Sequence, residues 1–205
     1  MLFSILLACL LLAGPSSGGA AVPDPTEQFK PFVEKVVSIL TSEEFKKDDK
    51  CQKCQRIITV AQEHFDFYEM SKRVLGKQWR KLSKEEKDQF VTLFTRLLQY
   101  AYIGKVEDYA NQKIEFRKQR IRGKRAEIQT VLLDKDKEIP VSYILILKGD
   151  KWMAYDIIVE GVSLVRNYME QFREILRKEQ YAGLVKKLED KIAMLDKEAR
   201  ATDGD

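Results

Sequence analysis

The segment "IPVSYILILKGDKWMAYDIIVE", Ile139–Glu160, decides the architecture. Two runs rich in β-branched and aromatic residues flank the polar tetrad Lys148-Gly149-Asp150-Lys151. A two-residue turn at Gly149 and Asp150 folds the runs into an antiparallel hairpin. In that register Lys148 faces Lys151, Ile146 faces Met153, Ile144 faces Tyr155 and Ser142 faces Ile157. The other side carries Tyr143, Leu145, Leu147, Trp152, Ala154, Asp156 and Ile158. Both sides are mostly apolar, whereas an antiparallel sheet with one wet side alternates more cleanly. Each side is therefore covered, or one lines an apolar space. The same residue types line a packed core and an apolar cavity, so periodicity leaves both readings open.

Working outward, "KIEFRKQRI" and "RAEIQTVLL" read as two further strands, with turns at "RGKR" and "DKDKE" completing a four-stranded meander. Before it, Phe29, Phe32, Val33, Val36, Val37 and Leu40 form a 3.6-residue stripe, which tolerates Pro31 only in the first turn. "TSEEFKKDDK" reads as a polar break before a helix over Cys51–His64. Asp66 with Glu69 caps a short helix, Phe67–Leu75, stopped by Gly76. Ser83 with Glu86 opens a long helix whose apolar face holds Phe90, Leu93, Phe94, Leu97, Leu98, Ala101 and Tyr102. Beyond the hairpin, Gly161 ends the last strand. Ser163 caps a helix carrying Val165, Tyr168, Met169 and Phe172, and a final helix carries Leu184, Val185, Leu188, Ile192 and Leu195. Helices, a meander, then helices define an α+β domain in which helices cover a curved sheet.

The 205 residues suit one domain, and 44% hydrophobic content supplies a sizeable core. "LFSILLACLLLAG" followed by "PSSGGAA" reads as a secretory signal peptide over residues 1–21, although no basic residue precedes the apolar run. The domain then spans 22–198, with a disordered tail at 199–205. An exported chain meets an oxidising compartment, and the leader-free chain keeps Cys51 and Cys54. "CQKC" lacks the second ligand pair of a zinc site and the preceding strand of a thioredoxin-like motif. A local disulfide and two free thiols remain, the disulfide being favoured.

Catalysis finds little support. His64 is the one histidine of the chain, and no nucleophile triad, metal-ligand pattern or phosphate loop accompanies it. Asp156 with Tyr143 could be read as an acid/base pair, but a strand aspartate binding a backbone amide or an arginine is favoured. "RKQRIRGKR" gathers Arg117, Lys118, Arg120, Arg122, Lys124 and Arg125 around a turn without interleaved aromatic residues, which argues against nucleic acid. It is either a solvated hairpin or a patch for an acidic partner or anionic headgroups.

Two long blocks carry a resemblance. "FDFYEMSKRVLGKQWRKLSKEEKDQFVTLFTRLLQYAY", through Phe65, Asp66, Phe67, Met70, Leu75, Gly76, Trp79, Ser83, Phe90, Phe94 and Tyr102, resembles the signature of the MlaC family, the toluene-tolerance auxiliary proteins. "KWMAYDIIVEGVSLVRNYMEQF", through Trp152, Tyr155, Asp156, Gly161, Ser163, Asn167 and Phe172, resembles its second block. "CQKC" is not part of that pattern.

The resemblance implies a periplasmic phospholipid carrier on a nuclear-transport-factor-2-like cone. Such a protein is a monomer and non-enzymatic, with bound phospholipid as cargo and no cofactor or metal. It implies as partners an outer-membrane lipoprotein complex and an inner-membrane ABC transporter with an MCE-type ring. The alternatives are an enzyme on the same cone and a redox or adaptor module using "CQKC". The expected cargo wall combines Phe94, Leu97, Leu98 and Ala101 of the long helix with Val131, Ile144, Ile146, Met153, Tyr155 and Ile157 of the sheet, closed by Val165 and Met169. That sheet side is preferred because the other carries Asp156, which is costly to bury unpaired against acyl chains.

Overall fold

The structure, a computed structural model, describes residues 22–108, 112–134 and 137–201. The meander forms as β1 (Lys113–Arg122), β2 (Arg125–Asp134), β3 (Lys137–Lys148) and β4 (Lys151–Val159). A short β5 (Val162–Ser163) adds to the β4 edge, and the sheet stays open in the order β1-β2-β3-β4-β5. Gly149 adopts φ 64°, the left-handed conformation that the β3–β4 turn needs. Lys148 pairs with Lys151 and Ile146 with Met153, as the turn predicts.

Beyond that point the register departs from the sequence expectation. Leu145 pairs with Ala154, but Ile144 pairs with Asp156, leaving Tyr155 as the extra residue of a β-bulge. The expected Ile144–Tyr155 and Ser142–Ile157 pairs are therefore replaced: Ile157 stands opposite Tyr143, and Ser142 opposite Ile158. One inserted residue exchanges the two sides for everything after it. Asp156 moves to the side of Ile144, and Ile157 to the side of Tyr143.

Before the sheet come α1 (Pro25–Thr41), α2 (Glu43–Lys47), α3 (Lys50–Gln62), α4 (Phe67–Leu75), a 3₁₀ turn (Gln78–Lys81) and α5 (Lys84–Asp108). Asp24 caps α1 by accepting from the Glu27 N–H at 3.0 Å, and Pro25 takes the first-turn position. Pro31 lies inside α1, not in its first turn. It has no N–H to offer the Glu27 carbonyl one turn back, and burial of Phe29, Phe32 and Val33 on the core side offsets that loss. The supposed polar break holds α2, because Ser42 caps it and Phe45 is buried. The reciprocal Ser83–Glu86 bonds, 2.7 and 3.1 Å, open α5 as predicted.

After the sheet, α6 (Leu164–Ala201) is two helices joined at Gln180, whose φ of 60° and ψ of −168° leave the helical region. They correspond to the two helices read from the sequence. The second runs to Ala201 with Ala199 fully buried, past the boundary at residue 198. The leader (1–21) and residues 202–205 lie outside the described residues.

The sheet has one well-covered side. Ala126, Ile128 and Leu132 of β2, Val141 and Leu145 of β3, and Trp152 and Ala154 of β4 are buried there. α1 lies over it: the Phe29 and Tyr143 rings stand 4.9 Å apart. The Trp152 indole donates to the Pro23 carbonyl at 2.7 Å, and the Trp152 N–H to the Gln28 side chain at 3.0 Å. At the free edge of β4, the Ala154 N–H donates to the His64 carbonyl and the Asp66 N–H to the Ala154 carbonyl, both at 2.8 Å. That clamp sets the start of α4. α5 and α6 join through an aromatic cluster in which Phe94 meets Tyr168 at 5.2 Å and Phe172 at 5.9 Å.

Candidate functional site

The expected wall is parted by the fold. Its helical half converges: Phe94, Leu97, Leu98 and Val165 are buried in one continuous core with Ile128, Leu145 and Trp152, and Met169 is half-buried. Ala101 is exposed. The strand half divides. Val131, Ile144, Ile146 and Met153 are half-buried on the side away from α1. Tyr155, in the bulge, is covered by the Arg73 guanidinium of α4, 3.8 Å from its ring centre. Ile157 alone of the strand set lies on the α1 side, carried there by the bulge.

Asp156 was the reason for preferring the Ile144 side, and that reason reverses in the structure. Asp156 stands on the Ile144 side itself, and its burial is paired rather than bare. Its carboxylate accepts from the Ser163 hydroxyl at 2.5 Å and from the Val165 N–H at 3.0 Å. Ser163 in turn accepts from the Arg166 N–H at 3.0 Å. This network ties the bulged strand to the first turn of α6. A bound backbone amide is one of the two roles read from the sequence, the other being an arginine.

The side opposite Asp156 is the apolar one. It runs from Leu145 and Ile128, fully buried, through Leu132 and Val141, also buried, to half-buried Ile114, Ile139 and Ile157. It ends at Val159 and Val162, 36% and 63% exposed. The apolar lining thus reaches solvent at the end away from Gly149, where Glu160 and Gly161 turn the chain with positive φ. Polar groups along it are few and engaged. Thr130 donates to the Val141 carbonyl at 3.0 Å, and burial pushes the Tyr143 phenol up to about 12. Sequence reasoning passed over Ile128, Leu132, Val141 and Leu145. The signal was present in the apolar alternation of β2 and β3, but both sides of β3 alternate equally well.

Catalytic arrangements do not assemble from the residues considered. Tyr143 and Asp156 lie on opposite sides of the sheet. His64 packs its ring 4.6 Å from that of Phe32, and burial holds its pKa below the ordinary 6.5. Among the described residues, no group of three His, Cys, Asp or Glu is placed to hold a metal. Cys51 and Cys54 are free thiols, which corrects the favoured disulfide. Cys54 is buried with Leu40, Phe45 and Ile103, and its thiol lies 3.8 Å from the Gln99 carbonyl of α5. Burial pushes that thiol up to about 12. Two surface concavities stand apart from the wall. One, about 460 Å³, is lined by Ile39, Asp48, Gln52, Gln55, Arg56 and Thr59. The other, about 320 Å³, is lined by Gln28, His64, Asp150, Lys151 and Trp152.

Fold and site together define a class: an α+β domain whose open antiparallel sheet carries one apolar side, covered by helices and running out to a solvent-facing rim. The chain belongs to the MlaC protein family, whose model matches residues 30–190. It is 26% identical over 123 residues to the intermembrane phospholipid transport system binding protein MlaC of Haemophilus influenzae. That match covers 57% of this chain and spans 58% of the curated relative's length. The fold is similar to that of the phospholipid-binding protein from Ralstonia solanacearum, solved in complex with a phospholipid. The TM-score is 0.78 at 21% identity, covering 85% of this chain and 99% of that one. Among the described residues no helix is long and apolar enough to cross a membrane.

Proposed function

We propose that the protein is a periplasmic phospholipid carrier that moves glycerophospholipid between an outer-membrane lipoprotein complex and an inner-membrane ABC transporter bearing an MCE-type ring. The carrying observation is the apolar side of the sheet, which runs without interruption from buried Leu145 to exposed Val162. The names of the Haemophilus relative and the Ralstonia neighbour support the choice of ligand. The acyl chains lie between this side and the helical residues Phe94, Leu97, Leu98, Val165 and Met169. The headgroup stays outside, near Val159 and Val162. Val131, Ile144, Ile146 and Met153 back the sheet rather than touch the cargo.

The physical need is clear. A two-chain phospholipid exposes roughly thirty methylenes at about 0.8 kcal/mol each, so unassisted passage through water is negligible. A carrier requires an apolar enclosure, few polar groups within it and a route to solvent. No bond is made or broken, which accords with the separation of Tyr143 from Asp156.

The test is mass spectrometry of organic extracts from protein purified from its exporting host, with phosphorus measured per chain. Phospholipid at a fixed stoichiometry is expected. Val162→Asp, which places a charge at the rim, and Val141→Trp, which fills the lining, lower it. A wild-type extract free of phospholipid refutes the reading.

A further inference from the structure

The β1–β2 hairpin is the most one-sided electrostatic feature of the chain. Residues 117–125 hold six cations and no acidic residue. The chain's net charge is +4, so everything outside this hairpin sums to −2. Arg117 is partly neutralised by Glu115 at 2.8 Å and Glu138 at 3.4 Å. Lys118, Arg120, Arg122, Lys124 and Arg125 have no ion-pair partner among the described residues, and all are exposed. By contrast Lys148, on the neighbouring turn, is paired with Asp66.

The hairpin is held, not loose. At its stalk, the Thr26 hydroxyl donates to Gln119 at 2.8 Å and Gln119 donates to Asp24 at 2.5 Å, fixing β1 to the start of α1. At its turn, the Leu147 N–H donates to the Lys124 carbonyl at 2.9 Å. Lys118, Arg120, Arg122 and Arg125 share the side of the sheet that carries Ile144 and Ile146, whereas Ile121, 45% exposed, pairs with Ala126 on the other side. Protection of an open sheet edge explains charges on β1, which is an edge strand. It does not explain Arg125, which lies on the interior strand β2 and shares the side of Arg120 and Arg122.

We propose that this hairpin docks the protein on a bilayer surface rich in anionic phospholipid headgroups. The unpaired cations Lys118, Arg120, Arg122 and Arg125, on one side of the hairpin, engage headgroup phosphates as juxtamembrane basic clusters do. The charges are diffuse, of one sign and lie on exposed strands without a groove. They fit a fluid anionic plane better than a shaped protein partner. Because the stalk is already ordered, adsorption carries little ordering cost. What docking does for a carrier rests on the carrier reading: the basic turn lies at the Gly149 end of the sheet, opposite the rim at Val159 and Val162, so docking anchors the protein at the membrane with that rim facing away from it. The adsorption itself does not depend on that reading.

The test is co-sedimentation of the leader-free protein with two kinds of vesicle, phosphatidylcholine alone and phosphatidylcholine with about one-third phosphatidylglycerol, at low salt. Each cation near such a surface is worth about fivefold in binding. Arg120→Gln/Arg122→Gln/Lys124→Gln should therefore weaken adsorption to the anionic vesicles on the order of a hundredfold. Arg120→Lys/Arg122→Lys should retain it, and Ile121→Ser, on the other side of the hairpin, should leave it unchanged. Salt near 1 M should abolish it, since the screening length falls to about 3 Å. Thermal midpoint and bound phosphorus are read on the same samples and should not change, because these side chains are exposed. Equal binding to both vesicles, binding to neither, or an unaltered triple variant overturns the proposal; binding to neither points to an acidic protein partner instead. Failed adsorption with phospholipid still bound refutes docking alone. Salt-sensitive adsorption by a protein without phospholipid upholds docking and refutes the carrier reading.

Discussion

Leu145 and Ile146 are neighbours on β3 that point to opposite sides of one sheet, and truncating each to alanine tests which side is the covered one. Leu145 is fully buried, opposite Ala154 and beside Ile128, whereas Ile146 is half-buried, opposite Met153. Leu145→Ala removes three carbon groups worth ~0.8 kcal/mol each and leaves a cavity that surrounding side chains fill only partly, for a loss of about 3–5 kcal/mol. Ile146→Ala deletes as many atoms from a site already in partial contact with water, so about 1–2 kcal/mol is expected. For a domain of this size each kcal/mol lowers the midpoint by about 2–4 °C. The first variant should therefore drop by at least 6 °C, and the second by roughly 2–8 °C. The assay is urea and thermal unfolding followed by circular dichroism, on protein stripped of bound lipid by refolding. Ile146→Ala costing as much as Leu145→Ala would refute the assignment of sides, and with it the placement of the cargo against Leu132, Val141 and Leu145.

Further expectations concern the supports of that sheet. Asp156→Ala leaves the Val165 N–H and the Ser163 hydroxyl without their acceptor; a loss of about 2–4 kcal/mol is expected by denaturant titration, and a loss below about 0.5 would refute the role given to the bulge. His64 has its folded pKa lowered by burial, so the unfolded chain binds more protons as pH falls below 6.5. Its contribution to stability is thus full above pH 6.5 and is lost as pH falls through the lower folded value. His64→Phe should flatten that part of the stability–pH curve, and an unchanged slope would count against it. Cys51 should react with a thiol reagent before Cys54, whose thiol is buried. Equal native rates, or no reaction until reduction, would contradict the free, unequally packed pair.

Much of this fold is legible locally because its signals are local. Ser83 and Glu86 satisfy each other across a single turn. Gly149 sets the β3–β4 turn by its own φ. Gly76 and Ser163 stop and start helices within a few residues. Where the reading failed, distant partners intervened. α2 exists because Phe45 finds a pocket with Leu40, Cys54 and Ile103, which "TSEEFKKDDK" does not reveal. Pro31 sits inside α1 because burial of that helix against the sheet outweighs one missing bond.

The candidate site divides in the same way. Apolar periodicity by itself determined that Phe94, Leu97, Leu98 and Val165 are buried, since a 3.6-residue stripe has one apolar face and that face must be covered. It also determined that β3 and β4 pair about Gly149. Which side of the sheet is covered was beyond it, because β3 is apolar on both sides and a period of two has no preferred phase when neighbours are alike. Only tertiary structure decided that. The Tyr155 bulge shifts β4 by one residue, Asp156 leaves the apolar side to bind Ser163 and Val165, and α1 settles on the side thus cleared. A bulge is stabilised by contacts from another element, here the first turn of α6, and no alternation within the strand records it.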